Sequence, residues 1–166
     1  MSFLYNIGIQ LLSAFFKIGR FFNAKIKQGY EGRQHWETKL SKFRTEHPGP
    51  LVWFHCASLG EFEMARPVID LLNENRPDNL QIFVTFFSPS GYEQRKNYPA
   101  IAAAAYLPFD TRQAAQTFIG ILKPTVAVFV KYEFWLNYLR VLEESQIKNI
   151  SIMLQRHSQR KSLSRM

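Results

Sequence analysis

LVWFHCASLGEFEMARPVIDLLNENRPDNLQIFVTFF, residues 51–87, contains the pattern that decides the fold of this chain. The stretch begins with the apolar run LVWFHCAS and ends with the apolar run QIFVTFF, and both have the length of a buried strand. Between them, residues 61–75 carry apolar side chains at helical spacing. A strand, a helix and a second strand in this order predict a βαβ unit, in which the two strands are parallel.

The same alternation continues toward the C-terminus and predicts an α/β fold. The helix after the second strand has Ser88 or Ser90 as a candidate cap, and Asp110 is expected to cap the helix that runs through Ile121. Five short runs alternating with helices predict a Rossmann-like parallel sheet with helices on both faces. The three remaining predicted strands lie in AAAAYLPF, TVAVFVKY and NISIML, and a helix over residues 134–144 separates the last two.

The positive charge of the chain lies in its flanks. Of the net charge of +8, residues 1–50 carry +5, whereas residues 51–155 carry −1 and residues 156–166 carry four basic side chains and no acidic one. A nucleic-acid-binding domain usually spreads basic side chains over a folded face, so this distribution argues against nucleic acid as a partner. Basic flanks beside an apolar segment suit an anionic membrane surface better.

Residues 1–27 are predicted to form an amphipathic helix that associates with a membrane. Polar residues interrupt the apolar run too often for a span, and its apolar side chains recur at steps of three and four. The alternative is a helix that packs on the domain or on a partner. Residues 28–50 read as a connector, 51–155 as the Rossmann-like domain and 156–166 as a basic tail. The stripe consists of Leu4, Ile7, Leu11, Phe15, Ile18 and Phe22.

Ligands of such a sheet bind at the carboxyl ends of the strands, so the strand–helix junctions are the candidate sites. None of the four junctions has the glycine pattern of a dinucleotide-binding or P-loop protein, and the sequence has no metal-ligand spacing and a single cysteine, Cys56. What remains is a pair of carboxylates, Glu61 and Glu133. The junctions lie at residues 57–61, 87–91, 108–111 and 131–135.

Both carboxylates and the turn of the second junction have a structural and a functional interpretation. Glu61 can complement the dipole of the helix that it begins, or it can act as a general base. Glu133 can bind a sugar together with the aromatic wall of Trp135, or it can be a helix-start charge. The turn at Ser90 and Gly91 can seat an anion on its backbone N–H groups, or it can be ordinary turn chemistry.

The junction sequences resemble the motifs of one enzyme family, the 3-deoxy-D-manno-octulosonic acid (Kdo) transferases. WFHCASLGEFE is similar to the family's A-S-[VL]-G-E signature, TFFSPSGYEQRKNY to its segment ending in P-[ST]-G, YLPFDT to its Y-L-P-x-D segment and KYEFWLN to its T-E-L-W-P-N element. Four motifs in the family's order are more specific than any one of them. The resemblance covers roughly residues 1–150.

The resemblance implies an inverting, metal-independent glycosyltransferase of two facing Rossmann-like domains, the GT-B architecture. Such enzymes move Kdo from CMP-Kdo to a lipid A precursor in lipopolysaccharide assembly, at the cytoplasmic face of the bacterial inner membrane. The lipid acceptor and the membrane surface are thus expected partners, and no cofactor is expected beyond the donor substrate. By resemblance Glu61 is the base, Ser58 and Gly60 shape its turn, and the acceptor-side residues are Ser90, Gly91, Glu133 and Trp135.

Residues 132, 134 and 136 depart from the T-E-L-W-P-N pattern, since Tyr, Phe and Leu stand where the family has Thr, Leu and Pro. The sequence from about Met153 does not resemble the family's continuation, so we expect a truncated chain that lacks the C-terminal sugar-nucleotide domain and is inactive alone. Two other functions stay open. One is a non-catalytic Rossmann-like module that binds a lipid or a partner, and the other is a flavodoxin- or receiver-like regulatory domain.

Overall fold

A computed structural model describes residues 2–131 and 135–152. Its strands form one parallel sheet in the order β3-β2-β1-β4-β5. This is the Rossmann strand order, whereas flavodoxin- and receiver-like domains place their first strand between the second and the third. The predicted Rossmann-like α/β fold is therefore confirmed, and the receiver-like alternative is wrong. The strands are β1 (Leu51–Cys56), β2 (Gln81–Phe86), β3 (Ala103–Tyr106), β4 (Val126–Val130) and β5 (Lys148–Ile152).

Helices cover both faces of the sheet, because successive side chains of a strand point to opposite faces. Trp53 of β1 lies in a core cluster with residues of α3, α6 and α7. Its neighbour Phe54 lies in a second cluster, with residues of α4 on the other face. The helices are α1 (Ser2–Gly19), α2 (Ala24–Gly32), α3 (Trp36–Glu46), α4 (Leu59–Asn75), α5 (Pro89–Arg95), α6 (Arg112–Leu122) and α7 (Leu136–Glu144).

The segment expected to be a connector, residues 28–50, contributes to the core. Leu40 and Phe43 of α3 are buried in the cluster around Trp53. The buried guanidinium of Arg33, just after α2, donates hydrogen bonds to three backbone carbonyls, two of which belong to Leu107 and Phe87 at the ends of β3 and β2. The folded unit thus begins before Leu51, which periodicity alone does not reveal because α3 is mostly polar.

Helix α1 packs on the domain through one face and exposes the other. The inward face includes the buried Ile9 and the ring of Phe16, which lies 5.2 Å from the ring of Phe109 between centroids. All six side chains of the apolar stripe predicted from the sequence are exposed, with Leu4 at 75% and Phe22 at 85%. Across the described residues, no helix combines the length and the apolar character needed to cross a bilayer.

The sequence predicted that Asp110 caps the helix that follows it, and this prediction is wrong. Helix α6 begins one residue later, with Thr111 as its cap, and the Thr111 hydroxyl oxygen accepts a hydrogen bond from the Ala114 N–H at 3.2 Å. The carboxylate of Asp110 instead accepts from two backbone N–H groups of α7. Ser88, in contrast, caps α5 as predicted, accepting from the Ser90 N–H. A buried carboxylate satisfies whichever helix end the fold brings to it, and here that end lies 27 residues away.

Candidate functional site

The candidate site lies where the first junction meets its neighbours at the carboxyl edge of the sheet. Strand β1 pairs with β2 on one side and with β4 on the other, so the strand order reverses next to β1. Crevices at such reversal points are where ligands of open α/β sheets bind. The carbonyl of Ala57 accepts hydrogen bonds from the N–H groups of Phe87 and Ser88, at 3.2 and 2.8 Å. The first and second junctions are therefore joined directly.

Glu61 lies in the first turn of α4, three residues after the N-cap Ser58. The Ser58 hydroxyl donates to one carboxylate oxygen of Glu61. The other carboxylate oxygen lies 3.7 Å from the ammonium of Lys131, the residue that follows β4. The Glu61 side chain is 14% exposed, so most of it is shielded while part of it reaches solvent. The fold thus places one carboxylate between the first and fourth junctions, with a cation beside it.

Lys131 is a site residue that the sequence reasoning missed. Its backbone is left-handed, with φ of 66°, a conformation that non-glycine residues adopt rarely. The available signal was its place in the fourth junction, but spacing alone does not say which carboxylate a lysine meets. The side chain is 47% exposed, so its ion pair with Glu61 contributes little to stability. Its effect is on the position and charge balance of the Glu61 carboxylate.

The predicted anion seat at Ser90 and Gly91 has a packing explanation for its glycine. A Cβ on Gly91 would lie 2.4 Å from the ring of Phe86 and 3.0 Å from the backbone of Ser58. Gly91 therefore permits α5 to approach the first junction closely. Ser90 is exposed, with its hydroxyl oxygen 2.7 Å from that of Ser88. Gly60 is exposed as well, and a Cβ there would meet only the Ser58 hydroxyl, at 3.8 Å.

Trp135 packs against aromatic side chains of the first and second junctions. Its ring lies 5.1 Å from that of Phe87 and 5.5 Å, nearly perpendicular, from that of His55. The indole N–H is buried and has no hydrogen-bond partner among the residues that the structure describes. Glu133, the other predicted carboxylate, lies outside the described residues, as do Tyr132 and Phe134.

The sequence also gave no indication that two basic side chains, His55 and Arg33, are buried near these junctions. His55 is completely buried, and its Nδ1 lies 2.9 Å from the Thr85 hydroxyl oxygen. Burial, assisted by the charge of Arg33, lowers the pKa of His55 from 6.5 to about 3. Burial also lowers the pKa of Arg33, to about 10, so its guanidinium stays charged at neutral pH. A histidine inside an apolar strand and an arginine in a polar segment carry no sequence signal of such burial.

The described residues do not form a recognisable metal-binding site. Over residues 2–131 and 135–152, no group of three or more His, Cys, Asp or Glu side chains has an arrangement that could hold a metal ion. The described side chains close to the first junction offer the Glu61 carboxylate, the Lys131 ammonium, serine hydroxyls and the Trp135 indole. Such a set suits proton transfer and the binding of a polyhydroxylated or anionic ligand.

Comparisons with known proteins agree with the motifs. The family model described as 3-deoxy-D-manno-octulosonic-acid transferase (kdotransferase) matches residues 34–163. A 3-deoxy-D-manno-octulosonic acid transferase of Chlamydia muridarum is 30% identical over 131 residues, which cover 75% of this chain and 28% of that protein. A probable mitochondrial one of Arabidopsis thaliana is 39% identical over 93 residues, 55% of this chain and 21% of the relative.

A third relative is the corresponding transferase of Haemophilus influenzae, which is 30% identical over 92 residues, or 55% of this chain and 21% of its own length. The matched part of the chain thus spans between about a fifth and three tenths of these relatives. All four junctions lie inside the span of the family model.

Proposed function

This chain belongs to the 3-deoxy-D-manno-octulosonic acid transferase family, and from that premise we propose that it is the acceptor-side part of a glycosyltransferase. The reaction moves Kdo from CMP-Kdo onto a lipid A precursor in lipopolysaccharide assembly. The observation that carries the proposal is the Glu61 carboxylate, held by Ser58 and Lys131 at the point where the strand order reverses. Sugar-nucleotide binding falls to a second, C-terminal domain of the GT-B type.

In this proposal Glu61 is the general base. A hydroxyl of the acceptor sugar attacks the anomeric carbon of Kdo while its proton passes to the carboxylate, and the bond from that carbon to the CMP phosphate breaks. Attack on the face opposite the leaving group inverts the anomeric configuration. The hydrogen bond from Ser58 aims the carboxylate, and the Lys131 ammonium lies beside its other oxygen. No metal or cofactor is required on this side.

The acceptor lies along the junctions next to Glu61. Ser90 offers an exposed hydroxyl beside the first junction, and Gly91 lets α5, which carries Ser90, pack closely on that junction. Trp135 supplies an aromatic surface of the kind that packs against sugar rings. Glu133, in the same junction, orients the acceptor or shapes the loop. These roles come from the family motifs together with the placement of the three described residues.

The acceptor is a lipid, and α1 gives the protein a surface for reaching it. Its exposed apolar stripe is flanked by Lys17 and followed by Lys25 and Lys27, which suit the anionic headgroups of the cytoplasmic leaflet. We place the protein peripherally at the cytoplasmic face of the bacterial inner membrane. In that position the stripe enters the bilayer surface while the opposite face of α1 stays on the domain.

Replacing Leu11 and Phe15 by Ser is expected to lower flotation of the chain with anionic vesicles several-fold. Both side chains are more than half exposed, so the change removes apolar area from the lipid contact and little from the core. Vesicles of phosphatidylethanolamine and phosphatidylglycerol provide the assay. The matched control is Leu71→Ser, an equally exposed leucine on α4. Equal flotation of all three proteins would contradict the membrane role of α1.

A transfer assay tests the whole proposal. The chain is joined to, or mixed with, the C-terminal domain of a family member and supplied with CMP-Kdo and a lipid A precursor. Transfer of Kdo, followed by mass spectrometry of the lipid, is expected from the combination and not from either part alone. A combination that binds the lipid without transferring Kdo would favour the other candidate function, a non-catalytic lipid-binding module.

A further inference from the structure

Among the described residues, none at the start of helix α7 caps it locally. Its N-cap residue, Trp135, makes no capping hydrogen bond with its side chain. The first N–H groups of a helix have no partner within the helix, so they need one from elsewhere. The Asp110 carboxylate supplies it: the N–H of Asn137 donates to one oxygen at 3.1 Å and the N–H of Tyr138 to the other at 3.0 Å. The cap of α7 therefore comes from the β3–α6 loop.

Helix α1 completes this cap from a still greater distance along the chain. The Tyr5 hydroxyl donates to the Asp110 carboxylate across 105 residues of sequence, and the backbone of Leu136, the first residue of α7, also hydrogen-bonds to Tyr5. The next residue of α1, Asn6, accepts from the side-chain amide of Asn137 at 3.0 Å. Two consecutive residues of α1 thus bind the start of α7.

The electrostatics of this cluster suit a cap. Asp110 is fully buried, and burial raises the pKa of its carboxyl, while the Tyr5 hydroxyl and the two N–H groups act in the opposite direction. A carboxylate at a helix N-terminus interacts favourably with the helix dipole. Tyr5 is held protonated, because burial and the neighbouring carboxylate raise its pKa far above 10. A protonated phenol facing a carboxylate remains a donor over the whole physiological range.

The same face of α1 also contacts the second junction. The Phe16 ring lies 5.8 Å from that of Phe87, and Phe87 in turn packs on Trp135. Helix α1 therefore contacts the junction after β2 through Phe16, the junction after β3 through Tyr5 and the start of α7 through Tyr5 and Asn6. Three of the four strand–helix junctions are thus tied to one helix.

We propose that Tyr5 and Asp110 are positioning residues of the candidate site, which cap α7 jointly and thereby fix Trp135 relative to Glu61. Neither residue needs to touch a substrate. The helix that presents the apolar stripe to the bilayer would then also organise the acceptor side of the site, with its outer and inner faces serving the two roles. The functional meaning of this arrangement rests on the proposed transferase activity, but the structural claim does not.

The test measures amide hydrogen exchange at the first residues of α7 in the purified chain. Replacing Tyr5 by Phe removes only the hydroxyl, and the loss of one hydrogen bond to a charged group is expected to speed amide exchange at Asn137 and Tyr138 about fivefold or more. The internal control is the Ala114 amide, at the start of α6, whose cap is the local Thr111. Its exchange is expected to stay unchanged. Leu11→Gln, on the outer face of α1, is the control variant.

A spectroscopic signal separates positioning from general destabilisation. The chain has three tryptophans, so 5-fluorotryptophan labelling gives three ¹⁹F resonances. Tyr5→Phe is expected to shift or broaden the Trp135 resonance and to leave that of Trp53, in the core, in place. Asp110→Ala should enlarge both effects, and Asp110→Asn, which keeps one acceptor oxygen, should restore part of the wild-type spectrum. If Asp110→Ala does not fold, Tyr5→Phe alone decides.

Unchanged exchange at Asn137 and Tyr138 together with an unchanged Trp135 resonance in Tyr5→Phe would overturn the inference. A uniform rise in exchange that includes Ala114 would also overturn it, because the hydroxyl would then support the whole fold. Neither measurement involves sugar transfer. Failure of the transfer assay with these results as expected would reject the proposed function and leave the positioning role standing.

Discussion

Replacement of Glu61 by Gln is expected to lower the rate of Kdo transfer about 100-fold or more in the chain combined with a C-terminal domain, since a general base contributes roughly 10²–10⁴ to the rate. Gln keeps the size of the side chain and still accepts the hydrogen bond from Ser58, so the turn is preserved. What it lacks is the capacity to take a proton. The measurement is the initial rate of Kdo incorporation into the lipid at saturating acceptor.

The competing explanation is that Glu61 only stabilises helix α4. The sizes of the expected effects on stability and on transfer rate distinguish this explanation from a role as general base. A carboxylate in the first turn of a helix stabilises that helix by about 0.3–1 kcal/mol, and loss of so little leaves the protein folded. We therefore expect Glu61→Gln to retain nearly the wild-type unfolding temperature while transfer collapses. Glu74→Gln, an exposed glutamate on the same helix, is the matched control. Transfer near the wild-type rate in Glu61→Gln would eliminate it as the base.

Acid is expected to destabilise the chain through His55. The folded protein holds this ring neutral, with a pKa of about 3, whereas the unfolded chain protonates it near the ordinary value of 6.5. Between these two values the unfolded state takes up a proton that the folded state cannot, so stability falls as the pH falls. The penalty is absent above pH 6.5, and it reaches about 3 kcal/mol at pH 4, on the scale of 1.36 kcal/mol for each pH unit.

The variant that isolates this effect is His55→Gln, because Gln does not titrate and its amide can still meet the Thr85 hydroxyl. The free energy of unfolding, from urea denaturation at pH 7 and pH 4, is expected to fall by about 3 kcal/mol less in His55→Gln than in the wild type. Carboxyl groups contribute equally to both chains and cancel in this difference. His35→Asn, at an exposed position, should retain the wild-type pH dependence. An identical fall in all three proteins would show that His55 is not held neutral.

The sequence was sufficient to predict the sheet and to identify the family. Apolar runs such as QIFVTFF and the helical spacing of residues 61–75 are local properties, and they correctly predicted parallel strands alternating with helices. The junction motifs identified the family because each lies within about a dozen consecutive residues. The stripe on α1 was also readable, since helical periodicity brings side chains three and four residues apart onto one face.

Only the tertiary structure decided which polar groups meet. Asp110 caps α7 rather than α6, Lys131 pairs with Glu61, and Arg33 donates to carbonyls just after β2 and β3. The partners in these pairs lie 27 to 74 residues apart, and Tyr5 and Asp110 lie 105 apart. The burial of the apolar strands follows from the chemistry of their own consecutive residues. The partner of a buried charge is instead whatever donor or acceptor the folded chain brings within reach, and no local pattern records it.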